Sequence, residues 1–149
     1  MTKRAPTIQP TREDCIYAAG FIDGEGCIAV QRPSQRRGPA SFRAYVEVAQ
    51  VDPAPLEFLA ARWGGGIYTF DRSHERYGGN ARPIHSWRIA SRVAVKFLRD
   101  IAPFAIVKRT QIANVLGLYE LERKPRMSPT LGEQAQFYLR SLELNRKGM

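Results

Sequence analysis

The side chains best placed to do chemistry stand close together, near the start of the chain. Asp23 and Glu25 sit among Gly20, Gly24 and Gly26, at the end of an apolar stretch that begins at Asp14. The small and apolar residues Ala18, Ala19, Gly20, Phe21 and Ile22 predict a helix that runs into this acidic, glycine-rich turn. A helix C-terminus carries partial negative charge, so acids there are disfavoured by about 0.3–1 kcal/mol. A hard divalent cation reverses that penalty, because carboxylates and free terminal carbonyls both bind it through oxygen. The plain alternative is a buried helix with a glycine-rich cap leading into a strand. These residues alone leave both open.

The helix that must position these acids has a readable start. Pro10 interrupts what precedes it, and Thr11 with Asp14 three residues on matches a capping box. Tyr17 and Phe21 lie four apart on one face, beside the bare surface of Ala18, Ala19 and Gly20. Glycine inside a helix costs about 1 kcal/mol relative to alanine. Close packing against a second backbone is the compensation expected here.

Composition narrows the partner. The chain has 149 residues, the length of one domain, and 44% are hydrophobic, enough for a core. It carries 23 Lys and Arg against 14 Asp and Glu, a formal net charge of +9, with a pI near 10.1. Such an excess suits a polyanion, and nucleic acid leads. A basic membrane-surface protein would need a strongly amphipathic basic helix, and none stands out. Cys15 and Cys27, both in apolar settings, are too few for a disulfide framework. No signal peptide or long apolar run is present, so a soluble intracellular protein is expected, with cytoplasm and organelle matrix both open.

In order, residues 1–10 read as a mobile arm and residues 11–149 as a single domain. After the acidic turn, Cys27–Gln35 alternates as a half-buried strand with Ile28 and Val30 inward, and a basic hairpin loop follows. Ser41–Val51 is a second strand, with Ala44, Val46 and Val48 inward. Asp52 and Pro53 open a short helix that Gly64–Gly65–Gly66 stops. Ile67–Arg72 and Ile84–Ala90 are further strands around a polar, glycine-rich loop. Helices are expected over Ser91–Ile101, Val107–Arg123 and Leu131–Arg146. The order is αββαββα plus C-terminal helices, an α+β arrangement. An antiparallel sheet covered by helices on one face leaves the other face open.

By alternation, Gln31, Arg43, Tyr45, Glu47, Thr69, Ser86 and Arg88 are expected on that open face. Arg, Gln and Glu there match the edges of guanine, adenine and cytosine, each good pair giving about 1–3 kcal/mol of discrimination. Arg32, Gln35, Arg36, Arg37, Arg72 and Arg109 join them as candidate DNA contacts. The bland alternative is a solvated sheet face, which would also be polar.

Residues 18–26, AAGFIDGEG, resemble the LAGLIDADG motif of a homing endonuclease family, matching it at Ala19, Gly20, Ile22, Asp23 and Gly26. Glu25 keeps the second acid with one more methylene. The element order is similar to that family's fold, in which two β-hairpins separated by a helix build an antiparallel saddle. The resemblance covers Asp14 to Glu122. Val48–Ala49–Gln50 is similar to the end of the family's second strand. Residues 103–111 are similar to its P-x-x-x-x-K-x-x-Q stretch, which makes Lys108 the active-site lysine. Taken alone, Lys108 is an ordinary surface lysine.

The resemblance implies a homodimer joined through the motif helix, with Ala19, Gly20 and Asp23 at the interface and Asp23 satisfying backbone donors there. It implies Mg²⁺-dependent cleavage of both strands of a long, nearly palindromic DNA site, leaving 3′ overhangs, as in intron homing. Mn²⁺ or Ca²⁺ would fit the same sites. Glu25 of each subunit and the Gly24 carbonyl would bind metal, Gln50 would orient water, and Lys108 would stabilise charge on the phosphate. Two readings of other kinds remain beside it. One is a non-cleaving RNA maturase or DNA-binding regulator of the same fold. The other is a basic interaction protein, which explains the charge but leaves the paired acids without a role.

Overall fold

The computed structural model describes residues 3–32, 41–71, 81–121 and 130–147. The elements in chain order are β1 (Lys3–Arg4), α1 (Arg12–Glu25), β2 (Gly26–Gln31), β3 (Arg43–Gln50), α2 (Ala54–Trp63), β4 (Gly65–Phe70), β5 (Ile84–Ala90), α3 (Ser91–Ile101), α4 (Arg109–Leu121) and α5 (Leu131–Lys147). It is an α+β fold with one five-stranded sheet, ordered β1-β4-β5-β3-β2, in which every neighbouring pair is antiparallel.

The capping box forms at the start of α1: the Asp14 N–H donates to Thr11 Oγ at 3.1 Å, and the Thr11 N–H donates to Asp14 Oδ2 at 3.0 Å. Cys15, Ala18, Ala19 and Ile22 recur at helical spacing and are buried. On the opposite face, Ile16, Tyr17, Gly20 and Gly24 are exposed. A second capping contact starts α2, where Asp52 Oδ1 accepts from the Ala54 N–H at 2.9 Å.

Alternation decides what the sheet buries. Ile28 and Val30, Ala44, Val46 and Val48, and Trp87 and Ile89 face the helices and are buried. Phe97 of α3 sits edge-on to both Trp63 and Trp87, with ring centroids 4.9 and 5.1 Å away. Such pairs add about 0.5–1.5 kcal/mol beyond the area they bury. Both indoles keep a partner: Trp63 Nε1 donates to Asp100 Oδ2 and Trp87 Nε1 to the Gly64 carbonyl, each at 2.8 Å.

One sheet edge is covered by a helix. Along β2, the Val30 N–H donates to Ser141 Oγ and the Ile28 carbonyl accepts from Asn145 Nδ2, each at 3.0 Å. Ser141 and Asn145 are one turn apart on α5, so this helix closes an edge that would otherwise offer free backbone groups. At the other edge lies β1.

That strand corrects the sequence expectation for residues 1–10. Lys3 and Arg4 pair with Gly66 and Gly65. The Thr7 and Ile8 N–H groups both donate to the Ala61 carbonyl, at 2.8 and 3.0 Å. Arg4 forms an ion pair with Glu57 of α2. The physical reason is the glycine pair. Gly64 has φ +78° and lies so near β1 that a Cβ there would stand 2.7 Å from the Arg4 carbonyl oxygen. A two-residue strand has no periodicity for a sequence reading to detect.

Candidate functional site

The end of α1 is held by its first acid. Asp23 Oδ2 accepts from the Ile106 N–H at 2.8 Å, and Oδ1 accepts from the Lys108 N–H at 3.0 Å. Burial pushes this carboxyl upward, but the backbone donors of residues 106–108 and the Lys108 charge outweigh it and hold its pKa below the ordinary carboxylate value. Lys108 lies immediately before α4, its carbonyl accepting the first helical bond, from the Ile112 N–H at 3.0 Å. A carboxylate facing the amides that open α4 is also favoured by the helix dipole. Asp23 therefore ties the C-terminal end of α1 to the N-terminal end of α4 and fixes Lys108 beside the acidic turn.

Asp23 thus satisfies backbone donors, and those donors belong to its own chain. Ala19 departs from its expected place at an interface: it is fully buried in the chain's own core. The accessible stripe of α1 runs through Ile16, Tyr17, Gly20 and Gly24. A Cβ added at Gly20 or Gly24 would meet nothing within 4 Å.

Glu25 ends α1 and is exposed, and no hydrogen bond or ion pair engages it among the described residues. The next residue, Gly26, pairs with Val48, so Glu25 and Gln50 flank the same end of the β2–β3 ladder. Gln50 is half-buried and opposite His85 of β5. The donors offered at the turn, the Glu25 carboxylate and the Gly24 carbonyl, are hard oxygens, and the last turn of α1 contains no basic residue. This set suits a divalent cation of the Mg²⁺ type. It is incomplete in one copy: among the described residues, no three His, Cys, Asp or Glu side chains gather to hold a metal.

Next to this turn, the uncovered face of the sheet is a connected polar surface. Glu47 lies at its centre. Its Oε2 accepts from the Tyr45 hydroxyl at 2.7 Å, and its Oε1 accepts from Ser86 Oγ at 2.9 Å and pairs with Arg88 Nε at 3.3 Å. Burial pushes the Glu47 carboxyl up, but these donors prevail and hold it below its usual value. Burial raises the Tyr45 phenol, and its bond to Glu47 raises it further, so Tyr45 keeps its proton. The Arg88 guanidinium lies over the Tyr68 ring at 4.5 Å. Across the β2–β3 pair, Arg43 Nε donates to Gln31 Oε1 at 2.8 Å.

Gln31, Arg43, Tyr45, Glu47, Ser86 and Arg88 thus share the open face, as alternation implies. Thr69 does not. It pairs with His85, in step with Ile67 and Trp87 on the helix-covered side, and its hydroxyl lies 2.9 Å from His85 Nδ1. Its neighbour Tyr68 takes the open face instead. Strand parity through Ile67 was the signal that identifies Tyr68. Cys27 also departs from its expected apolar setting: it is exposed, opposite Glu47. Arg32 is exposed just past β2, its guanidinium 5.9 Å from the Tyr138 ring centroid, and Arg109 is exposed at the start of α4. Gln35, Arg36, Arg37 and Arg72 lie outside the described residues. Among the described residues, no helix is long and apolar enough to cross a membrane.

No family model matches the sequence, and no curated protein matches it either. Solved structures do match the fold. The homing endonuclease I-CvuI, in complex with the I-CreI target in the presence of Mg with the DNA not cleaved, aligns with a TM-score of 0.71 at 18% identity, over 90% of this chain and 85% of that one. The archaeal intron-encoded homing endonuclease I-Vdi141I, complexed with DNA, aligns at 0.63 and 18% identity, over 91% and 84%. The LAGLIDADG homing endonuclease I-GzeII, in complex with its DNA target, aligns at 0.54 and 10% identity, over 87% of this chain and 43% of that one.

The chain has the fold of the LAGLIDADG homing endonucleases.

In this chain, residues 18–25 of the motif-like stretch lie in α1.

Proposed function

We propose that the chain is a site-specific DNA endonuclease that hydrolyses both strands of a duplex as a homodimer, using a divalent cation. The observation that carries this reading is the Asp23 clamp. It ties the Lys108 backbone to Asp23, two residues before the exposed Glu25, in a chain of net charge +9. Support for DNA as substrate comes from the neighbours of this fold, which are homing endonucleases bound to DNA.

The donor count supports two copies. One chain contributes a single unengaged carboxylate at the turn, and a two-fold axis beside α1 brings a second Glu25 to it. The open stripe at Gly20 and Gly24 allows the two helices to approach closely. A C2 dimer then reads a two-fold, nearly palindromic site.

In this reading Glu25 and the Gly24 carbonyl hold the cation, for which Mg²⁺ fits the oxygen donors. When bound, a divalent ion there supplies Lewis acidity and lowers the pKa of bound water. The chain's own groups do the rest. Gln50, at the end of β3, orients the attacking water. Lys108, fixed by its own N–H, stabilises negative charge on the phosphate. Arg109 contacts the phosphate backbone. The Gln31–Arg43 pair and the Glu47 surface meet the base edges, and cleavage leaves 3′ overhangs.

The test is Glu25→Gln assayed on a randomised duplex library with Mg²⁺. Cleavage is expected to vanish while DNA binding persists. Wild-type binding without cleavage would favour a regulator of the same fold. Undiminished cleavage by the variant would remove Glu25 from the reaction.

A further inference from the structure

We infer that Lys3 of the edge strand β1 is an additional DNA-binding residue, which extends the reading platform from four strands to five by contacting a backbone phosphate. The inference rests on the proposal that the open sheet face binds DNA.

Register places Lys3. It pairs with Gly66, Gly66 pairs with Arg88, Arg88 with Glu47, and Glu47 with Cys27. These five residues form one row across the whole sheet, and side chains in such a row share a face. Gly66 has no side chain to separate Lys3 from Arg88. The neighbouring Arg4 turns to the other side, where Glu57 engages it. A groove of about 610 Å³ runs along the open face, and its walls include Lys3, Gln31, Arg43, Tyr45, Tyr68 and Arg88, with all five strands contributing.

Charge accounting within this groove separates Lys3 from its neighbours. Arg88 is paired with Glu47 and stacked on Tyr68, and Arg43 is bonded to Gln31. No ion pair or hydrogen bond engages the Lys3 side chain among the described residues, and it is exposed. An ammonium on a flexible stem acts as a point charge suited to phosphate, without the fixed fork that reads a base edge. Its contribution is therefore independent of DNA sequence.

The strand is held by built features. Gly64 admits the Arg4 carbonyl, residues 7 and 8 bond to Ala61, and Arg4 is paired with α2. Lys3 is thus presented from a docked strand, and its position relative to Arg88 is set by backbone pairing.

The experiment measures affinity of the full chain for a mixed-sequence DNA duplex over a range of salt concentrations, by fluorescence anisotropy. Variants are Lys3→Ala, Lys3→Arg and a chain lacking residues 1–4. Losing one phosphate contact should make the log–log salt slope shallower by about 0.9. Lys3→Ala and the truncation are expected to share that change, Lys3→Arg to restore the slope, and base preference to stay unaltered in all three. An unchanged slope for Lys3→Ala, with a steep slope in the wild type, would overturn the role of Lys3 and leave the DNA reading standing. A flat slope in the wild type itself would overturn both.

Discussion

At the scale of single residues, the two acids of the motif have separate work, and their surroundings assign it. Asp23 is bonded to two backbone amides of the loop before α4, whereas Glu25 is exposed and unengaged. Asp23→Ala removes a charged acceptor from both amides and is expected to cost about 1.5–3 kcal/mol at neutral pH. Because the folded-state pKa of Asp23 is lowered, its contribution is complete above the ordinary carboxylate value, near about 4. It declines as the pH falls through the lowered folded value. Urea unfolding of wild type and variant across this range should therefore show a gap that closes in acid. A gap of constant size would mean that Asp23 acts through packing alone.

At the scale of elements, the turn Gly64–Gly65 joins α2 to β4 and admits the N-terminal strand. Gly65 has φ +98°, and a Cβ there would lie 2.5 Å from Ile89 Cγ2 and 2.9 Å from the Arg88 carbonyl oxygen. Gly65→Ala combines a left-handed backbone with overpacking and is expected to destabilise by about 2–4 kcal/mol. The urea midpoint should fall with the slope unchanged. A midpoint within error of the wild type would mean that the turn relaxes freely. Most of these elements are legible in the sequence because each carries a local signal. Thr11 and Asp14 mark the start of α1, Asp52 and Pro53 the start of α2, and the β5 and α3 boundaries follow from alternation and helical spacing. What escapes is non-local. Lys3–Arg4 is a strand only because Gly65–Gly66 accepts it, and Thr69 faces the helices because Ile67 must meet Trp87. In the site, the charged end of α1 is readable from residue types. The partner of Asp23 lies more than eighty positions away, and only the fold brings it there.

At the scale of the whole molecule, the sheet presents one covered face, one open face and one edge closed by a helix, and α1 lies beside it with a bare stripe. If α1 is the dimer seam, the space at Gly20 belongs to a second copy. The Cβ that Gly20→Leu adds meets nothing within 4 Å in the subunit, and the change removes a helical glycine worth about 1 kcal/mol, so the isolated chain is expected to stay folded. Sedimentation should then report a shift from dimer to monomer, and cleavage should disappear with it. A leucine variant that remains dimeric would place the seam elsewhere.

If the open face reads DNA, the bonds around Glu47 bear on how it could be retargeted. Tyr45, Ser86 and Arg88 all converge on the same carboxylate, from two different strands. Changing Glu47 takes the shared acceptor from all three, and changing a donor leaves the carboxylate one partner short, so substitutions here are expected to be epistatic. A new specificity would have to be selected from libraries that vary these four positions as a block, while the separate Gln31–Arg43 pair could be recoded on its own.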